Sequence, residues 1–455
     1  MKIYALILLA LVAALPCAAA QDNGPEPEAV AKQIVQEISA GQFDRVEERY
    51  TPEMSASLPA GTLAKVWASI LQQEGAFDSV VSTTSAAKVQ TFDMIVVAAK
   101  FEKAVIDIQI AISPDGKIGG IQVRQHREPP PPWVAPTYAK LDTFTEQPLT
   151  LTNGKFEMPG ILSMPKGSGP FPAVVLVQGS GRQDADETVG ASKPLKDVAW
   201  GLASRGIAVY RYTKRTEKYG SQSSDDPNKL TVDDETMSDA RAAISLLAKQ
   251  KNIDPAHVYL LGHSLGAYIA PRVATSDAQI AGIVMMAANT EPMEKLLVDQ
   301  VHYIIANGPP PTADEQAQVT KVEQAVKQID SPDLKQGDTI NLLSGPMPAS
   351  YWLDLRDYHP IAVAEELKIP ILILQGGRDF QVPPATNFDE WKKALGNDKF
   401  VTFRLYPTLN HLFIAGSGIS LPQEYDRPGH VDEQVISDVA LWITHSEAPH
   451  LGQGH

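Results

Sequence analysis

The sequence predicts an α/β chain: a mostly parallel, doubly wound sheet with a helical insertion, preceded by a small α+β domain. Three observations predict it. From Phe171 onward, short apolar runs alternate with helical stretches, an order that requires crossover connections between parallel strands. Ahead of them, helices come first and a strand meander follows, and the proline run Pro129 to Pro132 separates the two patterns. Finally, Val258 to Tyr268 reads as strand, sharp turn and helix with a serine at the apex.

At 455 residues the chain suits two or three domains with ample core. Hydrophobic content of 44% and charged content of 20% describe an ordinary globular protein. The net charge of −15, with no basic stripe, argues against nucleic acid or an anionic membrane as partner. Lys2, the uncharged run Ile3 to Leu15, Pro16 and then Ala18-Ala19-Ala20 follow the layout of a secretory signal peptide. Residues 1–20 are therefore expected to be cut off after Ala20, giving a secreted or periplasmic protein. The run is too short for a spanning helix, which takes about 20 apolar residues. Cys17 is the only cysteine, and Pro16 before it fits a lipid-attachment site poorly. The mature chain is expected to carry no disulfide, no thiolate nucleophile and no cysteine metal site.

In order along the chain, Ala29 to Ile38 has helical spacing at Val30, Ile34, Val35 and Ile38. Phe43 to Tyr50 and Leu63 to Leu71 read as two more helices. From Val80 the period becomes two, with strands over Phe92 to Phe101, Ala104 to Ile112 and Ile118 to Val123. Ser113-Pro114-Asp115-Gly116 supplies a hairpin turn. This small domain spans 28–126, and Glu47, Glu48 and Arg49 in it read as a solvated helix face. A proline-rich linker occupies 127–142, and a second domain runs from 143 to 449. It opens with strands over Phe144 to Leu151 and Lys155 to Met164. Ala173 to Val177 is a buried strand, Leu195 to Ser204 a helix ended by Gly206, and Ile207 to Tyr210 a strand. Val232 to Gln250 reads as one long helix. The serine strand and helix come next, then strands over Gly282 to Ala287, Ile369 to Leu374 and Phe400 to Leu405. Val435 to Ile443 is the terminal helix. Residues from about 290 to 350 break the rhythm: they are rich in helix formers and proline, and Thr312 and Glu315 have capping-box spacing. An insertion between strands near a ligand site reads as a cap, and a bundle for contact between copies is its other reading.

The serine stretch carries the chemistry. Gly262-His263-Ser264-Leu265-Gly266 is G-x-S-x-G between a strand and a helix, the nucleophile elbow of α/β-hydrolases. A serine hydroxyl is a weak nucleophile at neutral pH, so it needs a base, and the base needs an orienting carboxylate. The order in this fold is serine, acid, histidine, each after a later strand. Asp379 ends the strand and glycine turn Ile371 to Gly377, at the edge where parallel sheets carry their sites. Its rivals Asp354 and Asp357 precede that strand and read as cap anchors. His411 follows the last strand in the loop Tyr406 to His411. His263 adjoins the serine too closely to reach round to it, His302 lies in the cap ahead of the acid, and His359 and His430 are weaker rivals. The oxyanion needs two backbone donors: the N–H of Leu265 and one from Gln178-Gly179-Ser180-Gly181, with Ser180 first and Gly179 second. Asp184, Asp186 and Glu187 read as an ion-paired loop with Arg182, Lys214 and Arg215 as partners, not as a metal site. No cofactor and no metal is expected.

The stretches VLVQGSGRQDADETVG, DVAWGLASRGIAVYRYTKRT, LLGHSLGAY, ILQGGRDFQVP and YPTLNHLFI together resemble secreted bacterial carboxylesterases of the α/β-hydrolase superfamily. In these a small domain, similar to the nuclear-transport-factor-2-like fold, precedes the catalytic one. The resemblance implies an α/β-hydrolase fold with a helical cap, and hydrolysis of short to medium acyl esters by Ser264, Asp379 and His411. Gln178 departs from the pattern, since such proteins often carry histidine before G-S-G; it leaves the backbone donors intact and bears on the pocket wall. A small-molecule ester is the expected partner. The alternative is a serine aminopeptidase or dipeptidyl peptidase, with Glu291, Glu294 or Asp299 of the cap receiving the substrate ammonium. A binding protein on a hydrolase scaffold is the third reading.

Overall fold

The computed structural model describes residues 26–89, 91–126, 131–276, 280–342 and 345–445. The signal-peptide expectation and residues 127–130 of the linker lie outside them. No helix among the described residues is long and apolar enough to cross a membrane. The chain divides into two compact units, Met1–Pro129 and Pro130–His455.

In the first unit, helices over Pro27–Ser39, Phe43–Glu47, Pro52–Ser57 and Thr62–Glu74 precede a four-stranded antiparallel meander. Its strands are β1 (Phe77–Val89), β2 (Phe92–Phe101), β3 (Val105–Ile112) and β4 (Ile118–Gln125). Ile34, Val35 and Ile38 of the first helix and Trp67 and Ile70 of the fourth pack on Ile95, Val97, Ile106, Ile108 and Ile110. The second helix stops at Glu47 rather than Tyr50, because Tyr50 bridges to Ile118 and Thr51 caps the next helix through Met54 N–H. β1 begins three residues before Val80. Its partner-facing register against β2 slips in three places, which a run of serine, threonine and alanine tolerates.

The second unit is built on an eight-stranded sheet. Its strands begin with β5 (Phe144–Pro148), followed by the ribbon β6 (Leu151–Asn153) and β7 (Phe156–Met158), then β8 (Gly160–Pro165). Pro159 splits what the alternation predicts as one strand from Lys155 to Met164. Next come β9 (Phe171–Val177), β10 (Ala208–Tyr212), β11 (Ile253–His263) and β12 (Ile280–Met286). The hairpin β13 (Thr339–Leu342) and β14 (Gly345–Pro348) precedes β15 (Ile371–Gly376) and β16 (Val401–Tyr406). The order is β16-β15-β12-β11-β9-β10-β8-β5: six parallel strands, then β8 antiparallel to both its neighbours, with β5 at the edge. In β9, Ala173, Val175 and Val177 face the helices Ser238–Ala248 and Leu265–Thr275, while Val174 and Leu176 face Pro194–Ala203 and Glu433–His445. Both faces are covered, as an all-apolar strand requires.

The helix expected over Val232 to Gln250 is two pieces. A π-helical turn, Asp233–Met237, leads into the α-helix Ser238–Ala248. The wider turn carries Glu235 into the interior, where it meets Lys214. Between β12 and β15 lie the inserted helices Met293–Asn307 and Ala313–Ile329, the β13–β14 hairpin and the helix Ala349–Arg356. Thr312 and Glu315 form the full capping box.

Candidate active site

β11 runs into Ser264, and the helix Leu265–Thr275 begins one residue later. Ser264 sits at φ 53°, a conformation L-residues adopt at a cost of roughly 1–3 kcal/mol. Its N–H donates to Met286 O at 2.9 Å and its carbonyl accepts from Tyr268 N–H at 2.8 Å, so the turn is tied on both sides. The two motif glycines are there for close approach. A Cβ on Gly262 would fall inside the Gly266 carbonyl, and a Cβ on Gly266 would strike Val177 O and lie 2.9 Å from Gln178 O. The strand–turn–helix hairpin can close only where those side chains are missing. Ser264 is partly exposed in an otherwise buried run.

Asp379 follows β15 and His411 follows β16, and the two meet: His411 Nδ1 donates to Asp379 Oδ2 at 2.8 Å. Both are nearly buried, at 3% and 4% exposure. The carboxylate is held on every side. Asp379 Oδ1 accepts the N–H groups of Gln381 and Val382, each at 2.9 Å, and Oδ2 accepts Gln375 Nε2 at 2.9 Å. With Nδ1 committed to the acid, Nε2 is the nitrogen of His411 left for proton transfer.

His263, the variable residue before the serine, reaches the same loop from the other side. Its Nε2 lies 2.9 Å from His411 O and its Nδ1 3.0 Å from Glu187 Oε2. Burial alone would push this imidazole's pKa down, but the charge and hydrogen bond of Glu187, with the His411 carbonyl and Asp379, outweigh it and the net shift is upward. Geometry agrees: a carbonyl accepts only from an N–H, and a carboxylate partner calls for the second proton. Glu187, at φ 53° and 2% exposure, also accepts the Gly179 N–H at 2.6 Å. Both ring nitrogens of His263 are thus engaged, a link that sequence reasoning misses. The signal lay in a histidine inside the elbow and a glutamate in the loop after β9.

Of the oxyanion donors, the Leu265 N–H opens the helix and has no intrahelical acceptor. Gly179 drops out of the pair, because Glu187 takes its N–H. Ser180 is exposed, and among the described residues none accepts its N–H. Gly179 lies against Ser264: a Cβ there would stand 3.2 Å from Ser264 Cβ and 3.7 Å from Oγ.

Several other expectations need correction. The acidic loop is ion-paired, but with different cations. Asp186 binds Arg211 at 2.8 Å and Lys193 at 2.9 Å. Burial would raise its carboxyl, and those two cations hold it below the ordinary range. Asp184 accepts from Thr188 Oγ1 and the N–H groups of Asp186 and Thr188. Arg182, Lys214 and Arg215 pair instead with Glu217, Glu235 and Asp239. Gln178 is fully buried, its Nε2 donating to Tyr212 O and Asp184 O, so it joins β9 to β10 and is no pocket wall. Asp354 binds Arg272 at 2.7 Å, whereas Asp357 only closes the helix Ala349–Arg356. His302 pairs with Glu323, His430 with the buried Asp197, and His359 precedes a helix. In the insert, Lys295 bridges Glu291 at 2.7 Å and Asp299 at 2.6 Å, and burial lifts the Glu294 carboxyl above its usual pKa. The insert meets the acid loop directly: Tyr303 stacks on Phe380 at 5.3 Å, and Gln300 Nε2 donates to Gln381 O at 2.9 Å. Among the described residues no group of three or more His, Cys, Asp or Glu is arranged to hold a metal ion.

Two family models match the chain. One, described as serine aminopeptidase, S33, matches residues 188–416, and one described as a protein of unknown function matches 31–121. Esterase EstD of Thermotoga maritima is 35% identical over 414 residues, covering 90% of this chain and 93% of the esterase. A polyketide transferase of Stachybotrys chlorohalonatus is 30% identical over 122 residues, 26% of this chain and 37% of that protein. Among solved structures, an esterase of Pyrococcus furiosus aligns at TM-score 0.44 and 14% identity, covering 70% of this chain and 99% of its own. Est1E of Butyrivibrio proteoclasticus aligns at 0.42 and 13% identity, covering 65% and 98%.

Proposed function

The chain belongs to the α/β-hydrolase family that includes esterase EstD, and from that membership we propose a carboxylesterase acting through an acyl-enzyme on Ser264. It is an ester-cleaving serine hydrolase of the carboxylesterase type; the residue roles and the acyl preference are the proposal. The observation that carries it is the 2.8 Å contact between His411 Nδ1 and Asp379, together with a serine held at positive φ.

Ser264 Oγ attacks the ester carbonyl carbon as its proton passes to His411 Nε2. The carbonyl's π electrons move onto oxygen, where the Leu265 and Ser180 N–H groups receive the charge. Asp379 holds the imidazole in the needed tautomer and steadies the imidazolium. Collapse expels the alcohol, which takes the proton from His411. Water, deprotonated by the same nitrogen, then releases the acid and restores Ser264. The substrates are small carboxylic esters with short to medium acyl chains. The peptidase reading needs a free anion for the substrate ammonium. Glu291 and Asp299 are already bridged by Lys295, and the raised pKa of Glu294 suits it poorly, which supports the ester reading.

Export belongs to the same proposal, resting on Lys2, the apolar run Ile3 to Leu15 and Ala18 to Ala20. N-terminal sequencing of the secreted enzyme is expected to begin at Gln21; retention of Met1 in exported protein would contradict it. The activity itself is tested by turnover of p-nitrophenyl esters of increasing acyl length against aminoacyl p-nitroanilides, with and without EDTA. Short esters are expected to turn over far faster, unaffected by chelation. Preference for the anilides would replace this reading with the peptidase one.

A further inference from the structure

We propose that Lys214 is a positioning residue that aims the Ser180 N–H at the oxyanion by gripping the other side of the same peptide unit. The inference rests on reading Ser180 as an oxyanion donor. Lys214 Nζ donates to Gly179 O at 2.8 Å. A trans peptide is planar, with its C=O and the following N–H pointing in opposite directions. Holding the Gly179 carbonyl inward therefore turns the Ser180 N–H outward, away from the ammonium. The residue ahead is pinned as well, by Gly179 N–H on Glu187. Gly179 is thus held at both its carbonyl and its N–H, and it lies against Ser264.

The ammonium is placed at some cost. Lys214 is 1% exposed and pairs with Glu235 Oε1 at 2.6 Å, while Glu235 Oε2 accepts Tyr351 OH at 2.7 Å. Glu235 itself lies in a π-helical turn, a rare local structure. Buried ion pairs of this kind are weak stabilisers, since an apolar pair of similar volume is often as stable or more so. Fold stability alone does not account for a lysine here. What a lysine supplies and an apolar residue does not is a charge-assisted bond to that one carbonyl. Such a bond polarises the peptide and makes its N–H the stronger donor. The ammonium also puts positive charge one peptide away from the developing alkoxide. Through Tyr351, the helix that returns from the insert shares in the arrangement.

The test removes the pair together, Lys214→Met with Glu235→Gln, so that no buried charge is orphaned. Two readouts are followed: kcat/KM for p-nitrophenyl acetate, and the Ki of a trifluoromethyl ketone, whose adduct with serine carries the oxyanion. Complete loss of a donor costs about 10²–10³-fold in kcat, and a misaimed one is expected to cost on the order of 10–10²-fold. The ketone Ki should rise by the same factor as kcat/KM falls. In a Ser264→Ala background, the Kd of the uncleaved ester should not change with the pair. If the double variant does not fold, Lys214→Gln with Glu235→Gln keeps a polar pair and carries the same expectation at about 10-fold. A folded variant with both kcat/KM and Ki within twofold of the parent overturns the proposal, as does a loss confined to ground-state binding. Failure of the underlying reading is seen separately, as ester turnover that survives Ser264→Ala alone.

Discussion

His263 Nε2 donates to the backbone carbonyl of His411 across a gap of 2.9 Å, so the residue before Ser264 holds the loop that carries His411. With Nδ1 on Glu187, the ring joins Gly179, Glu187, His263 and His411 in one buried chain. The elbow thus fixes more than the serine.

This chain predicts a pH dependence of stability. The folded pKa of His263 is raised above its ordinary value of 6.5. The stabilisation is therefore fully present below about pH 6.5 and is lost as pH rises through the folded value. Replacing His263 with Gln is expected to cost about 1.5–3 kcal/mol near pH 6, the range for a hydrogen bond to a charged group. The gap in melting temperature between parent and variant should narrow from pH 6 to pH 9. A gap that widens toward alkaline pH would reverse the sign and remove the imidazolium from the account.

The tautomer of His411 depends on Asp379. In Asp379→Asn the amide oxygen is retained by the Gln381 and Val382 N–H groups, which turns the NH₂ toward His411 Nδ1 and Gln375 Nε2. His411 must then accept at Nδ1 and carry its proton on Nε2, where it cannot serve as base. The expected loss in kcat is about 10⁴-fold with KM little changed, measured on p-nitrophenyl acetate. A loss under tenfold would mean another carboxylate orients the histidine.

Gly266→Ala tests the elbow's packing. The new Cβ meets the backbone carbonyls of Val177 and Gln178, neither of which ends a flexible side chain. Destabilisation of at least about 3 kcal/mol by denaturant titration is expected, at or beyond the upper end for overpacking, together with loss of activity. An alanine variant as stable as the parent would show that β9 and the elbow helix are not in fixed contact.

The sequence made the elbow and the strand alternation legible because both are local: glycine spacing and an apolar period are written in consecutive residues. The loops carrying Asp379 and His411 were legible for the same reason, each following an apolar strand. What escaped depends on register between distant strands. Lys214 looks like a partner for the nearby acidic loop, yet the chain after β10 turns it to Glu235, which sits in a π-helical turn that the apolar spacing does not announce. Arg211 takes Asp186 instead, because alternation along β10 directs it to the face where that loop lies. His263 and His411 are 148 positions apart, and nothing in either local sequence announces their contact. Pro159 is the counter-example: a proline interrupts a strand ladder locally, so the break between β7 and β8 is written in a single residue.

The central claim is that Ser264 is the nucleophile, and paired assays on the purified parent and Ser264→Ala test it most directly: p-nitrophenyl acetate turnover and labelling by a fluorophosphonate. The parent should turn over the ester and take up one probe per chain. The alanine variant, folded to the same melting temperature within a few degrees, should take up none and lose at least about 10⁴-fold in kcat. Stoichiometric labelling of the variant, or turnover within tenfold of the parent, would contradict it.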